Sequence, residues 1–278
     1  MHESSGGTVK AFVHRYLEMV PQETTAVLAA ERMGARRIGC VLVESGDPKR
    51  GPIGIVTETD LVRKVLAKGM DPTVTMVDRV MSRPPLTIAT ECSMLDASHV
   101  MEGNQVRHLC VVEGGEIVGV LSVRDLVRSF VDAENGPVIE LDGVYRPLGV
   151  LMATSPATIG SEESMFAAAV QMSDRRIGSL LTVEADELVG VVTESDLVRK
   201  GLAPNQDAGK TRVRDVMSSP LLSIDVNRTI RDASQVMAER GVRHLAVSEN
   251  GKIVGVLSIR DLVKMVSVRD RPRFLGYT

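Results

Sequence analysis

Gly119-Val120-Leu121-Ser122-Val123-Arg124-Asp125-Leu126-Val127 is written four times along this chain. The other copies are Gly54-Ile55-Val56-Thr57-Glu58-Thr59-Asp60-Leu61-Val62, Gly190-Val191-Val192-Thr193-Glu194-Ser195-Asp196-Leu197-Val198 and Gly255-Val256-Leu257-Ser258-Ile259-Arg260-Asp261-Leu262-Val263. Each opens with a glycine and a short aliphatic, β-branched run that suits a buried strand. A hydroxyl residue follows, then two variable residues, an aspartate and a helical pattern. Each copy therefore predicts a strand running straight into a helix, with a hydroxyl and a carboxylate three residues apart at the junction.

Outward from that stretch the repetition holds its spacing. Thr57 and Thr193 lie 136 residues apart, as do Ser122 and Ser258, Met81-Ser82 and Met217-Ser218, and Arg107-His108 and Arg243-His244. Within each half the interval is 65 residues. The architecture read from this is a unit of that length, paired, with the pair duplicated. A segment so short buries apolar surface poorly alone, so pairing is the expected stable form. The units run from about 8 to 70, 77 to 133, 148 to 203 and 213 to 268, in halves 1–136 and 137–278.

In order, the first unit predicts a helix near Thr24 to Met33, strands at Cys40 to Val43 and Ile53 to Val56, and a closing helix from Asp60 to Ala67. Its opening, Phe12 to Leu17, stands where the second unit has Met81-Ser82-Arg83-Pro84, without matching it. In the second unit Leu86-Thr87-Ile88 reads as a short strand, and Met94, Ala97 and Met101 mark a helix face. Cys110 to Val112 and Ile117 to Leu121 flank a hairpin turn at Glu113-Gly114-Gly115-Glu116; the fourth unit repeats this with Asn250-Gly251. Glu134 to Pro147 reads as the link between halves, and Arg269 to Phe274 as a loose basic tail.

Composition narrows the function. The chain has 278 residues, 44% hydrophobic and 25% charged, as expected of a soluble globular protein. A net charge of −3 and 3% aromatic residues without tryptophan argue against nucleic-acid backbone binding and base stacking. Cys40, Cys92 and Cys110 lack metal-ligand spacing and read as buried thiols of a reducing compartment. No apolar run reaches the ~18 residues of a membrane span, and the first residues lack a signal-peptide pattern. A cytoplasmic location is the expectation, with no membrane partner. There is no nucleophile elbow, metal cluster or phosphate-cradling glycine loop, so no catalytic residue and no enzyme activity is expected.

The order β-α-β-β-α, the Met-Ser-x-Pro opening, the Arg-His-Leu strand and the Gly-x-x-[Ser/Thr]-x-x-Asp-Leu junction resemble the cystathionine-β-synthase (CBS) domain. Four copies cover almost the whole chain. The resemblance implies an α+β fold of four CBS units paired into two pseudo-two-fold Bateman modules, a layout similar to the gamma subunit of AMP-activated protein kinase. It implies a regulatory protein whose effector is an adenine nucleotide (AMP, ADP or ATP) or S-adenosylmethionine, energy sensing, and no catalytic cofactor. Partners expected on the same ground are a regulated enzyme or other protein, and either a homo-oligomer (dimer) or a self-contained disc of four units. The rival is an interaction scaffold whose clefts are vestigial.

Two readings of the junction residues stay open. [Ser/Thr]-x-x-acid before an apolar run is a helix capping box, which would occupy Thr57/Asp60, Ser122/Asp125, Thr193/Asp196 and Ser258/Asp261 locally. Alternatively a carboxylate offers two oxygens to the vicinal hydroxyls of a ribose, the role the resemblance implies, with the Ser or Thr beside it. The resemblance also implies that main-chain groups near Leu86-Thr87 and Leu222-Ser223 read adenine, and that Arg107, His108, Arg243 and His244 meet phosphates. Units one and three carry Ile38-Gly39 and Ile177-Gly178 where those basic pairs are expected, with Arg36-Arg37 and Arg175-Arg176 just before as possible substitutes. The strand glycines mark either a bulge or a close approach of backbone to a ligand. His14 and His99 show no ligand spacing, and Met81, Met152 and Met217 read as core or lining.

Overall fold

The computed structural model of the protein describes residues 7–47, 50–132 and 148–262. The link Glu134 to Pro147 and the basic tail Arg269 to Phe274 lie outside the described residues. The second repeat shows the pattern in full: strand Thr87–Ala89, helix Met94–Gly103, strands His108–Glu113 and Glu116–Ser122, and helix Val123–Asp132. The third and fourth repeat it with strands Thr158–Gly160, Ser179–Glu184 and Glu187–Thr193, and Ser223–Asp225, His244–Glu249 and Lys252–Ser258. In every repeat the described strands form a three-stranded sheet, the first pairing parallel to the second and the second antiparallel to the third. The mixed α+β class is as expected.

Local sequence accounts for the elements. After a short helical turn at Val9–Phe12, the helix Ala26–Arg36, behind a Thr25 cap, buries Ala26, Ala29, Ala30 and Met33; Val27 sits to one side of that face, half-buried. Met94, Ala97 and Met101 are buried as their spacing predicts. The hairpins turn where small residues allow positive φ, at Gly114 and Gly115 (61° and 90°) and at Asn250 and Gly251 (49° and 77°). The closing segments of the first and third repeats depart from a regular helix: one short turn, Glu58–Asp60 or Glu194–Asp196, passes into wide π-type turns at Leu61–Val65 and Leu197–Leu202.

The chain condenses into two compact units. One comprises Tyr16–Leu86 and Ser155–Leu222, the other Met1–Arg15, Thr87–Thr154 and Ser223–Thr278. The first compact unit thus holds repeats one and three, the second holds repeats two and four, whereas the halves of the sequence pair one with two and three with four. In the odd-repeat unit a single core runs from Ala29, Met33, Val56 and Leu61 to Met165, Met172, Val192 and Leu197. In the even-repeat unit the core residues include Met94, Leu109, Val111, Leu126, Met237, Leu245 and Leu257.

Of the two readings of the strand glycines, the bulge holds in repeats two, three and four, and all four glycines have a further cause. Opposite each runs the lead-in of the neighbouring repeat in the same half, in an antiparallel bridge: Ile55 with Ser82, Val120 with His14, Val191 with Ser218, Val256 with Ala153. A Cβ on Gly119 would stand 2.6 Å from the His14 carbonyl oxygen, and on Gly190 and Gly255 it would stand 2.8 and 2.7 Å from those of Ser218 and Ala153. On Gly54 it would meet Met81 Sδ at 2.5 Å. The close approach is protein against protein. The bulge lies at the residue just before the glycine, Val118, Val189 and Val254, in repeats two, three and four. Met81 is accordingly buried, and Met152 and Met217 half-buried, against these strands.

Candidate functional site

At each strand-to-helix junction the aspartate turns one oxygen back onto its own chain. Asp60 Oδ2 accepts from Thr57 N (2.9 Å) and Thr57 Oγ1 (2.6 Å), while Thr57 Oγ1 accepts from Asp60 N. Asp196 and Thr193 reproduce this capping box at 3.0 and 2.5 Å. Asp125 Oδ2 takes Ser122 N and Oγ at 2.8 and 2.6 Å, and Asp261 Oδ2 takes Ser258 N and Oγ at 2.9 and 2.6 Å. The full capping box is realised at Thr57/Asp60 and Thr193/Asp196, and at Ser122/Asp125 and Ser258/Asp261 the carboxylate likewise bonds back to the serine, through one oxygen in each case.

The other oxygen, Oδ1, separates the repeats. Lys64 Nζ lies 2.7 Å from Asp60 Oδ1 and also donates to Val80 O, and Ser82 Oγ approaches the same oxygen at 3.3 Å. In repeat three Lys200 Nζ (2.8 Å) and Ser218 Oγ (2.9 Å) fill Asp196 Oδ1. In repeat two His14 Nε2 stands 2.8 Å from Asp125 Oδ1. These partners come from one helical turn on (i+4) and from the neighbouring lead-in, which the repeat spacing by itself does not pair with the aspartates.

The His14–Asp125 contact has consequences for pH. The Asp125 hydrogen bond holds the His14 imidazolium and raises its pKa above 6.5, against some desolvation. Burial pushes Asp125 upward, but the bonds from His14 and from Ser122 outweigh it and leave the carboxyl below 3.8. His14 therefore stabilises the fold fully below its unfolded value near 6.5 and loses this as pH rises through its higher folded pKa; Asp125 contributes above 3.8 and fails as pH falls through its lower one. In an NMR titration His14 is expected to show a midpoint above 6.5 that falls back in Asp125→Asn; a midpoint at or below 6.5 in the parent contradicts the bond.

The basic pairs lie at the start of the central strand. Arg107 and Arg243 are buried, 7% and 8% exposed, and their carbonyls accept from Val123 N and Ile259 N. His108 and His244 are half-buried opposite Ser122 and Ser258. Burial and the neighbouring Arg243, Arg107 and Arg260 push the His244 pKa down to about 3. His244 is thus a neutral imidazole, not the second cation that the sequence suggests. It should show no titration between about pH 5 and 8 in an NMR pH series, and a midpoint inside that range would contradict the cationic surroundings.

The register corrects the alignment of the other repeats by one residue. Glu58 N and Glu194 N donate to Gly39 and Gly178, and Cys40 and Ser179 face Thr57 and Thr193, so Gly39-Cys40 and Gly178-Ser179 stand where the Arg-His pairs do. Arg36, Arg37, Arg175 and Arg176 are exposed at helix C-termini, Arg37 and Arg176 in left-handed conformation, and Arg36 pairs with Glu18. They do not replace the buried arginines. The odd-repeat unit has buried charges of its own, one residue past the junction hydroxyl: Glu58 and Glu194, 1% and 0% exposed, crossed with Arg199 (3.3 Å) and Arg63 (3.6 Å). Ser195 Oγ and Thr59 Oγ1 donate to the same two carboxylates.

Thr87 and Ser223 are exposed on outer strands of their sheets, paired with Cys110 and Ala246; Leu86 is exposed and Leu222 half-buried just before them. Cys110 is buried, and burial pushes its thiol up to about 12, so it is inert at neutral pH. Cys40 is also buried and Cys92 half-buried, all three as free thiols. Among the described residues no group of His, Cys, Asp and Glu could hold a metal ion, and no helix is long and apolar enough to cross a membrane.

A model of the CBS domain matches residues 9–67, 77–132, 141–203 and 213–268. The chain is 26% identical over 268 residues to the CBS domain-containing protein CBSCBSPB2 of Arabidopsis thaliana, covering 86% of this chain and 50% of that protein. It is 33% identical over 111 residues to the CBS domain-containing protein YhcV of Bacillus subtilis, covering 40% of this chain and 79% of that one. The chain spans about half the length of the Arabidopsis relatives it matches. Among solved structures, protein MJ1225 of Methanocaldococcus jannaschii, described as a candidate archaeal homolog of g-AMPK, superposes with a TM-score of 0.76 at 16% identity, over 93% of this chain and 99% of that one. An uncharacterized conserved protein of Pyrococcus horikoshii follows at 0.60 and 19%, covering 94% and 100%. Four matched segments, each with the same sheet and the same hydroxyl–aspartate bond at the junction, place this chain in the CBS domain family, as four CBS domains in tandem forming two Bateman modules.

Proposed function

We propose that this protein is a non-catalytic regulatory module that binds adenosine-containing ligands, AMP, ADP, ATP or S-adenosylmethionine, at its strand-to-helix junctions. One observation supports this above the rest. In repeats two and four a capped aspartate, Asp125 or Asp261, shares its unit with a buried arginine, Arg107 or Arg243. A carboxylate suits a ribose diol and a guanidinium suits a phosphate. The Ser122 and Ser258 hydroxyls can take a second partner while capping. Main-chain groups beside Leu86-Thr87 and Leu222-Ser223 are the proposed adenine contacts. Regulation requires unequal affinity of the ligand for two states of the module or of an enzyme it controls. The fold likeness to MJ1225 is consistent with a nucleotide-sensing role in energy metabolism, located in the cytoplasm.

Calorimetry with AMP, ATP and S-adenosylmethionine tests the reading. Micromolar binding of at least one is expected, and no heat from any of them with folded protein overturns it. A second reading, an interaction scaffold or oligomer, is favoured locally by the odd repeats, whose aspartates are occupied by their own chain. Asp125→Ala and Asp261→Ala separate the two: a scaffold keeps its partner binding, a sensor loses its ligand response.

A further inference from the structure

The four junction aspartates differ in how much hydrogen-bonding capacity their own chain has used. An ionised carboxylate has about four acceptor positions. Asp60 is filled by Thr57 N, Thr57 Oγ1, Lys64 Nζ and Ser82 Oγ, and Asp196 by Thr193 N, Thr193 Oγ1, Lys200 Nζ and Ser218 Oγ. Asp125 accepts from Ser122 N, Ser122 Oγ and His14. Asp261 accepts, among the described residues, only from Ser258 N and Oγ.

The sequence gives the gradient a cause. The odd-repeat lysines stand four residues after the aspartate, where the even repeats have Ser129 and Met265. Ser129 Oγ donates instead to Leu126 O, and a thioether has no proton to donate. The residue that the lead-in bridge presents is Ser82 in repeat one and Ser218 in repeat three, but His14 in repeat two and Ala153 in repeat four. The alanine side chain offers no donor. Lys64 and Lys200 are also tied to the lead-in carbonyls of Val80 (2.7 Å) and Met217 (3.0 Å), whereas the His14 side chain is 64% exposed and can swing away. Charge runs the same way, since the odd-repeat Glu58 and Glu194 are matched by Val123 and Ile259 in the even repeats.

We infer that the even repeats alone take a phosphate-bearing vicinal diol, repeat four directly at Asp261 and repeat two at Asp125 by displacing His14, while the odd-repeat aspartates serve as internal struts. This rests on the adenosine reading above and assigns its sites. Repeat four is the stronger site because nothing described has to leave it.

The experiment is calorimetric titration of the full chain with AMP and with 2′,3′-dideoxy-AMP, with melting curves to confirm folding. At most two AMP per chain are expected, with the dideoxy analogue weaker by about 10- to 100-fold, the worth of charge-assisted bonds to a diol. Asp261→Asn should remove the stronger site and Asp125→Asn the weaker, while Asp60→Asn and Asp196→Asn leave both. Ala153→Ser, at an exposed position outside the capping box, should weaken the stronger site several-fold without affecting the fold. Four equivalent AMP, or a loss confined to Asp60→Asn and Asp196→Asn, overturns the assignment and leaves the adenosine reading standing. A folded parent protein that takes up no AMP, ATP or S-adenosylmethionine removes both.

Discussion

Arg63→Met is expected to destabilise the odd-repeat unit by about 3–5 kcal/mol, the usual cost of stranding one member of a buried ion pair. Glu194 is 0% exposed, its carboxylate facing Arg63 at 3.6 Å and accepting from Thr59 Oγ1 at 3.0 Å. Glu58, Arg199 and Ser195 repeat the arrangement in mirror order, at 3.3 and 2.8 Å. The charges are tolerated because each acid meets a guanidinium and a hydroxyl at once. Removing the guanidinium takes away the cation that faces this buried carboxylate at 3.6 Å. The double variant Arg63→Met/Glu194→Met deletes both charges and should recover most of the loss, since a pair replaced by apolar groups of similar size is often near neutral. Urea unfolding of the two single variants and the double measures the coupling. An Arg63→Met protein within about 1 kcal/mol of the parent, the range of exposed pairs, would show that Glu194 does not depend on it.

Gly119→Ala is expected to cost about 2–3 kcal/mol, the upper part of the range for overpacking. The new Cβ would stand 2.6 Å from the His14 carbonyl oxygen, and that carbonyl already accepts from Val120 N at 3.0 Å while His14 N donates to Val120 O at 3.2 Å. Backbone cannot rotate out of the way as a side chain can, so the lead-in must lift and both bridge bonds lengthen. His14 then recedes from Asp125, and its pKa should fall back toward 6.5. Gly103→Ala is the control: nothing lies within 4 Å of its Cβ position, so the change should be neutral or stabilising by about 0.5–1 kcal/mol. Thermal melts and the His14 titration read both outcomes. Equal melting temperatures for the two variants would exclude the steric argument.

Much of the fold is legible in the residues because the information is local. The capping boxes follow from a hydroxyl three residues before an aspartate, the hairpins from Asn-Gly and Gly-Gly, and the buried helix faces from the spacing of Met94, Ala97 and Met101. Where reading stopped short, the missing partner is remote in sequence. His14 reaches Asp125 across 111 residues, and Ser195 reaches Glu58 across 137. In repeat one a longer loop hides the strand register, which pairing with Thr57 reveals, whereas in repeat three the spacing is enough, since Gly178 precedes Thr193 by the same 15 residues as Arg107 precedes Ser122.

Sequence alone, then, determined that this chain is four copies of one α+β unit with a capped aspartate at each strand-to-helix turn, because hydrogen bonds within a few residues and the alternation of apolar positions need no distant partner. Tertiary structure alone decided that repeats one and three share one core, that the strand glycines make room for a neighbouring lead-in, and that His244 is neutral. It also decided which aspartates are already saturated. These depend on burial and on charges brought together from far along the chain, and burial is a property of the folded whole.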